Sequence, residues 1–271
     1  MNKPIILFRK STDVEDELAI AREYFDVTEH RTNCKDQLVI PRYSALPFYR
    51  ELETDLKNMG CTMINSYSQH RWIADFEYYE VLKEFTPETW TEQDFYRCEY
   101  PGPFVVKGRT NSRKWEWNRL MFAPTKKEAI QTAIRLHDDD FISQQGVLYR
   151  KYVPLKTFEI GLNGLPFTNE WRFFWYRDKL LSYGYYWSTA DDPLLGKLTV
   201  NAMELAKKIA SIAKEYVNFF VLDLAETVDG DWVLIEVNDG QMSGLSENDP
   251  HSLYNNLRIC LKEENEILSN T

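Results

Sequence analysis

Residues 219–238 read FFVLDLAETVDGDWVLIEVN. Two apolar runs, Phe219 to Ala225 and Trp232 to Val237, flank Asp229-Gly230, a dipeptide that favours the tight turn of a β-hairpin. Side chains alternate along a strand, so Glu236 and Asn238 share a face, and a hairpin brings Asp223 opposite them. Two carboxylates and an amide oxygen are hard ligands, and their convergence suits Mg²⁺ bridging phosphates. A polar strand face turned to solvent is the alternative. The surrounding run is strongly apolar, however, and paired acids are costly to bury without a cation.

Upstream of the hairpin, Thr199 to Tyr216 carries Met203, Leu205, Ala206, Ile209, Ile212, Ala213 and Tyr216 at helical spacing. Before it, Glu159 to Gly164, Glu170 to Tyr176 and Leu180 to Trp187 read as consecutive strands with short turns, hence an antiparallel sheet. Glu170 and Arg172 lie on one face of the middle strand, where the guanidinium can fork two oxygens of a phosphoryl or carboxylate group or simply pair with a neighbouring acid.

Further upstream, Phe104 to Lys107 follows Pro101-Gly102-Pro103 as a buried strand ending in a lysine. Lysine there delivers a point charge suited to phosphate. The loop that follows, Arg109 to Lys114, is basic and rich in amide and hydroxyl groups. It fits closure over a polyphosphate, or else a solvated surface loop. Lys126 to Leu136 reads as a helix capped by Thr125, and Gly146 to Val153 as a strand.

At the N-terminal end, Pro4 to Phe8, Val39 to Pro41 and Cys61 to Ile64 read as short strands. A helix capped by Ser11 or Asp13 and ending near Phe25 lies between the first two. A helix from Phe48 to Met59, closed by Gly60, precedes the third. This alternation indicates a small α/β unit. Tyr67 to Phe85 reads as a linking helix, broken by Pro87. The 271 residues carry a net charge of −10 and 44% hydrophobic residues, which describes an ordered globular chain and disfavours general binding to nucleic acid or anionic membrane. Cys34, Cys61, Cys98 and Cys260 have neither zinc nor disulfide spacing, which fits a cytoplasmic location, or the host cytoplasm for a phage-encoded chain. No apolar run is long enough for a signal peptide or a membrane span.

The order is lysine strand, basic loop, helix, strand, Glu-x-Arg strand, helix, Asp strand, hairpin, Glu-x-Asn strand. It resembles the ATP-grasp superfamily, and within it a clade of small ATP-grasp domain proteins of phages and bacteria. Val39 to Pro47, Ile64-Asn65-Ser66 with His70, Thr86 to Trp90, Ala123 to Ala129 and Arg150 to Leu155 extend the resemblance over nearly the whole chain. It implies an α+β fold in which two subdomains with antiparallel sheets grip ATP. The expected units are a pre-ATP-grasp α/β domain with its linking helix over 1–90 and an ATP-grasp domain over 91–271. Within the latter, a lid spans about 100–153 and a metal-binding part about 154–265. It further implies that Lys107 and Arg172 are catalytic, that Lys107, Arg109, Arg150, Lys151, Tyr152, Val153, Glu170 and Arg172 bind ATP, and that Asp223, Glu236 and Asn238 hold Mg²⁺.

The implied reaction is phosphoryl transfer from ATP to a carboxylate, then attack by an amine or similar nucleophile, with an amino acid, peptide or RNA as substrate. Two alternatives stand beside it, the first on the same fold and the second from a different functional class. One is an RNA ligase or modifying enzyme with a groove built from Arg109, Arg113, Lys114 and Arg119. The other is a non-catalytic nucleotide-binding module using the aromatic stretch Tyr183 to Trp187. The chain departs from the family pattern in two places. No lysine follows the Asn-Ser turn, where Arg71 is the nearest cation, and the loop after Lys107 lacks the family's usual glycines beyond Gly108 and carries Trp115 and Trp117.

Overall fold

The computed structural model describes residues 2–9, 15–187 and 196–269. The proposed caps Ser11 and Asp13 lie outside these residues. The chain begins with a parallel sheet of order β2-β1-β3-β4. Its elements are β1 (Asn2–Phe8), α1 (Glu15–Tyr24), β2 (Asp26–Thr28), β3 (Gln37–Arg42), α2 (Tyr49–Asn58) and β4 (Thr62–Met63). Met59 is the C-cap of α2, and Gly60 takes a φ of 73°, a left-handed stop that glycine adopts without strain.

The single helix expected over 67–85 is two helices, α3 (Tyr67–Ala74) and α4 (Tyr78–Leu82). Phe76 interrupts them at φ 67° and packs its ring against Tyr78 and Tyr79. Burial of this aromatic cluster outweighs continuation of the helix. Ser66 and Gln69 form a reciprocal capping box at the start of α3.

A second sheet, order β5-β8-β6-β7, is antiparallel. It comprises β5 (Thr89–Thr91), β6 (Phe104–Gly108), β7 (Phe122–Ala123), α5 (Lys126–Leu136), α6 (Asp140–Gln145) and β8 (Val147–Lys151). Phe104, Val106, Val147 and Tyr149 pack under α5 and α6. By alternation Val105, Lys107 and Arg150 face the other way. Thr125 caps α5 as expected, accepting from Glu128 N at 3.2 Å.

The expected strand over 159–164 is β9 (Thr157–Ile160) followed by a 3₁₀ turn over Leu162–Gly164. It pairs with β10 (Pro166–Thr168) as a separate two-stranded ribbon. Asn163 at φ 56° and Gly164 at φ 81° favour the tight turn over a longer strand.

The third main sheet, order β12-β11-β13-β14, is antiparallel. It contains β11 (Glu170–Tyr176), β12 (Lys179–Tyr185), α7 (Val200–Ala213), β13 (Phe219–Glu226) and β14 (Trp232–Asp239), and the final helix α8 (Pro250–Ser269) follows. One face, with Phe173, Trp175, Phe220, Leu222 and Leu224, packs on the alanine-rich side of α7 and on α3 and α4. The opposite face is divided. Phe174, Tyr176, Phe219 and Val221 pack on α8 and the N-terminal sheet. The rest of that face carries Glu170, Arg172, Asp223, Glu236 and Asn238, and there an apolar cover stops.

Candidate active site

The hairpin sets the acids. Asp223 pairs directly with Glu236, and Val221 with Asn238. Between Asp223↔Glu236 and Leu224↔Leu234 the register shifts, so Ile235 is an extra residue on β14. Such a bulge re-aims neighbouring side chains, and here Ile235 and Glu236 both line one cleft. The Asn238 amide nitrogen donates to Asp223 Oδ2 at 3.1 Å and to Glu236 Oε2 at 3.2 Å. The amide therefore presents its N–H₂, not the expected oxygen, to the acids. A half-turn about its last torsion exchanges the two.

Each acid already has a cation. Arg172 Nε and Nη2 fork onto Asp223 Oδ1 and Oδ2, both at 2.8 Å, while Nη1 donates to Gly244 O at 2.8 Å. Lys107 Nζ donates to Glu236. Arg172, Asp223 and Lys107 are buried, and Glu236 is half-buried. Burial pulls the Lys107 ammonium below its ordinary range; Glu236 opposes this, and Arg150 adds to it. Burial would raise the Glu236 carboxyl, but Lys107, Lys114 and Asn238 outweigh it and hold the group below the usual value. Glu170 behaves oppositely. Burial pushes its carboxyl up to about 7, against the pull of Lys114 and with help from Asp223.

The cleft lies between the second and third main sheets. Its apolar walls include Val105, Met121, Leu155, Leu165 and Ile235, and Lys107, Lys114, Arg150, Glu170 and Glu236 reach into it. Lys151, Tyr152 and Val153 form its back edge. That segment crosses from one sheet to the other. Lys151 N donates to Glu88 O and Tyr152 N to Pro103 O, while further along Lys156 N donates to Glu226 O and Val228 N to Pro154 O. Arg150 donates to Thr89 Oγ1 at 3.1 Å and to Ile235 O. Among the described residues, Arg150 Nη2 and Glu170 Oε1 are buried without a partner, one donor and one acceptor on the cleft wall.

A sequence model of the ATP-grasp domain, family 3 of its clade, matches residues 95–257, more than half of the chain. The chain belongs to this ATP-grasp family. Solved structures share its fold. The ATP-grasp ligase PsnB complexed with a minimal precursor is 11% identical, with 96% of this chain and 99% of that chain covered at a TM-score of 0.58. A RiPP-associated ATP-grasp ligase from Chryseobacterium gregarium, in complex with ADP and a leader and core peptide, is 9% identical, with 97% of each chain covered and a TM-score of 0.57. D-alanine–D-alanine ligase from Bacillus anthracis, complexed with ATP, is 13% identical, with 88% and 86% covered and a TM-score of 0.52. A comparison with curated proteins finds no match.

Not every residue named from the sequence of this ATP-grasp chain reaches the cleft. Arg109 follows the end of β6, and its Nε lies 3.6 Å from where a side chain on Gly146 would begin, away from the cleft lining. Its strand ends at Gly108, so the alternation that aims Lys107 inward stops before Arg109. Nor do the four loop cations make one basic groove. Arg113 pairs with Asp139, Arg119 with Glu116, and Lys114 turns into the cleft. Tyr183 is half exposed, but Tyr185 and Trp187 are buried, so the aromatic stretch is largely interior. The sequence places Lys114 only in a loop that fits closure over a polyphosphate or an RNA groove, and it assigns no site role to Thr168, Trp187 or Ile235, which line the cleft from β10, the segment after β12 and the β14 bulge.

Proposed function

We propose that this ATP-grasp protein is an ATP- and magnesium-dependent ligase that activates a carboxylate as an acyl phosphate for attack by an amine or similar nucleophile. The observation that carries this reading is that Glu236 lines a cleft together with Lys107 and Arg150, while Asp223 pairs with Glu236 across the hairpin and Asn238 bonds both acids. The donor set fits a hard cation: two carboxylates and an amide supply part of an octahedron, leaving positions for phosphate oxygens and water. The two orphaned buried atoms, Arg150 Nη2 and Glu170 Oε1, fit a polar ligand that supplies both an acceptor and a donor.

In this reading Lys151, Tyr152 and Val153 edge the adenine site, whose apolar flanks are Val105, Met121 and Ile235. Val153 makes no backbone hydrogen bond among the described residues, which leaves its N–H for the base. Lys107 and Arg150 hold phosphates, Glu170 faces the nucleotide, and Arg172 steadies the transferred phosphoryl group. Asp223, Glu236 and Asn238 hold the magnesium. Bound Mg-ATP supplies the phosphoryl group and an electrophile already partly neutralised. The protein's part is positioning and charge stabilisation in a site screened from water. Residues 1–90 are proposed to build the acceptor side, 100–153 the lid and 154–265 the metal-binding part. A cytoplasmic location belongs to the same proposal; among the described residues no helix is long and apolar enough to cross a membrane.

An amino acid or peptide is the preferred acceptor. Peptide complexes of PsnB and of the Chryseobacterium ligase support it, and the scattered loop cations speak against an RNA groove. The test is thermal stability with ATP and Mg²⁺. A ligand at a hundredfold excess over Kd adds roughly 2.7 kcal/mol. No shift in the wild type removes the proposal. Given a shift, ADP release in the presence of amino acids or peptides, but not RNA, identifies the acceptor.

A further inference from the structure

Lys114 has no role in the assignments above, yet it lines the same cleft, half-buried. It reaches there from the loop after β6, where the family pattern has glycines. Its Nζ donates to the Tyr186 hydroxyl and lies 4.0 Å from the Tyr186 ring centroid and 5.2 Å from that of Trp187. Burial opposes its charge, but the Tyr186 hydroxyl, Glu170 and Glu236 outweigh burial and hold the ammonium above its ordinary range. Neither acid pairs with it directly among the described residues, because Glu236 is taken by Lys107. The Tyr186 ring also carries Arg172, whose Cζ lies 4.8 Å from the centroid. The Tyr186 ring thus contacts two cations, and one of them, Lys114, lines the cleft together with Lys107 and Arg150.

The position where the family pattern leads one to expect a first lysine offers no such cation. Arg71 lies on α3 with its guanidinium paired to Asp75 and stacked near Tyr67, half exposed and outside the cleft lining. A half-buried ammonium with no carboxylate of its own is well placed to take an anion, and the ligand proposed for this cleft carries several.

We propose that Lys114 is a second phosphate-binding cation of the nucleotide site, seated on the Tyr186–Trp187 platform and standing in for the missing upstream lysine. This rests on reading the cleft as an ATP site. The aromatic platform would fix the ammonium in a loop that has no glycines, so that its position is set before nucleotide arrives.

Calorimetric titration of the full chain with adenosine, ADP and Mg-ATP tests it. Lys114→Met is expected to weaken ADP and ATP by roughly tenfold to a hundredfold, the worth of a charge-assisted contact, and to leave adenosine unchanged. Lys114→Arg should retain more of the nucleotide affinity than Lys114→Met, Tyr186→Phe should stay within a few-fold of the wild type, and Arg71→Met should match it. Lys114→Gln, which keeps a donor to Tyr186, serves if the methionine variant does not fold. Equal loss of adenosine and ATP would make Lys114 a structural prop and overturn the proposal. Unchanged ATP affinity, or a loss at Arg71 instead, would overturn it too. A wild type that binds none of the three ligands overturns the ATP reading itself.

Discussion

Glu170 is buried at the start of β11 with Oε1 unpartnered among the described residues, and burial raises its carboxyl from 4.5 to about 7. Between those values the folded chain binds more proton at this group than the unfolded chain does. Stability from Glu170 is therefore full below about pH 4.5, falls as pH rises through 7, and is gone above it. The whole effect is at most about 3 kcal/mol. Glu170→Gln should flatten this part of the profile, gaining on the wild type at pH 8 and matching it near pH 4. Urea midpoints across that range provide the check; an unchanged slope in the variant would show that Glu170 ionises normally. At this scale the sequence was readable where a strand supplied the rule. Alternation along an apolar run was enough to place Asp223, Glu236, Asn238 and Lys107. It could not place Arg109, where the strand had already ended, or Lys114, whose partners Tyr186 and Trp187 lie some seventy residues away, just past the end of β12.

At the scale of elements, the glycine at 184 shows how tightly the loop after β14 closes on the sheet. Gly184 sits opposite Arg172 on β12. A Cβ there would meet the backbone of Glu247 and Asn248 at 2.3–2.5 Å. That loop gives Arg172 its Gly244 carbonyl partner, and Asn248 donates back to Arg172 O. Gly184→Ala should push the loop off, costing about 1–3 kcal/mol and loosening Arg172. Gly230, at φ 88° with open space around it, is the control: Gly230→Ala should cost only the left-handed backbone penalty, about 1 kcal/mol. If denaturation shows the two variants equal, the close approach at Gly184 is not what the loop depends on. Long periodic elements such as α7, and the hairpin marked by Asp229-Gly230, were legible because local pattern and tertiary packing agree there. The break at Phe76 and the ribbon of β9 and β10 were not, since aromatic clustering and turn geometry override a helical or strand-like run. Helix α8 carried a signal that could have been used: Pro250 at its start, then Leu253, Tyr254, Leu257 and Leu261 at helical spacing, all four buried against the sheet and α1.

Across the whole molecule, the β5-β8-β6-β7 sheet and the loop after β6 are tied to the hairpin sheet by cations that they themselves provide. Lys107 binds Glu236, Arg150 binds Ile235 O, and Lys114 binds Tyr186. Arg172 within the hairpin sheet occupies Asp223 in the same way. The proposed magnesium ligands are thus neutralised by the proposed phosphate ligands. Bare Mg²⁺ would add positive charge where each acid already has its cation, and taking Asp223 or Glu236 would strand a buried guanidinium or ammonium. A polyphosphate changes the balance, because it gives Lys107 and Arg172 a new partner and releases the acids. Metal and nucleotide should therefore bind with positive coupling, and the coupling must be reciprocal, within the usual range of roughly 5–150-fold. Titration with Mg²⁺ alone should produce no heat and no rise in Tm at millimolar concentration, while ATP affinity should fall by that factor when the metal is chelated. Glu236→Gln, which frees Lys107 in advance, should bind metal-free ATP relatively better than the wild type and lose most of the magnesium dependence. A wild type that takes up Mg²⁺ equally well with and without nucleotide would mean that the acids and cations are not exchanging partners, and that the closed pairs are structural.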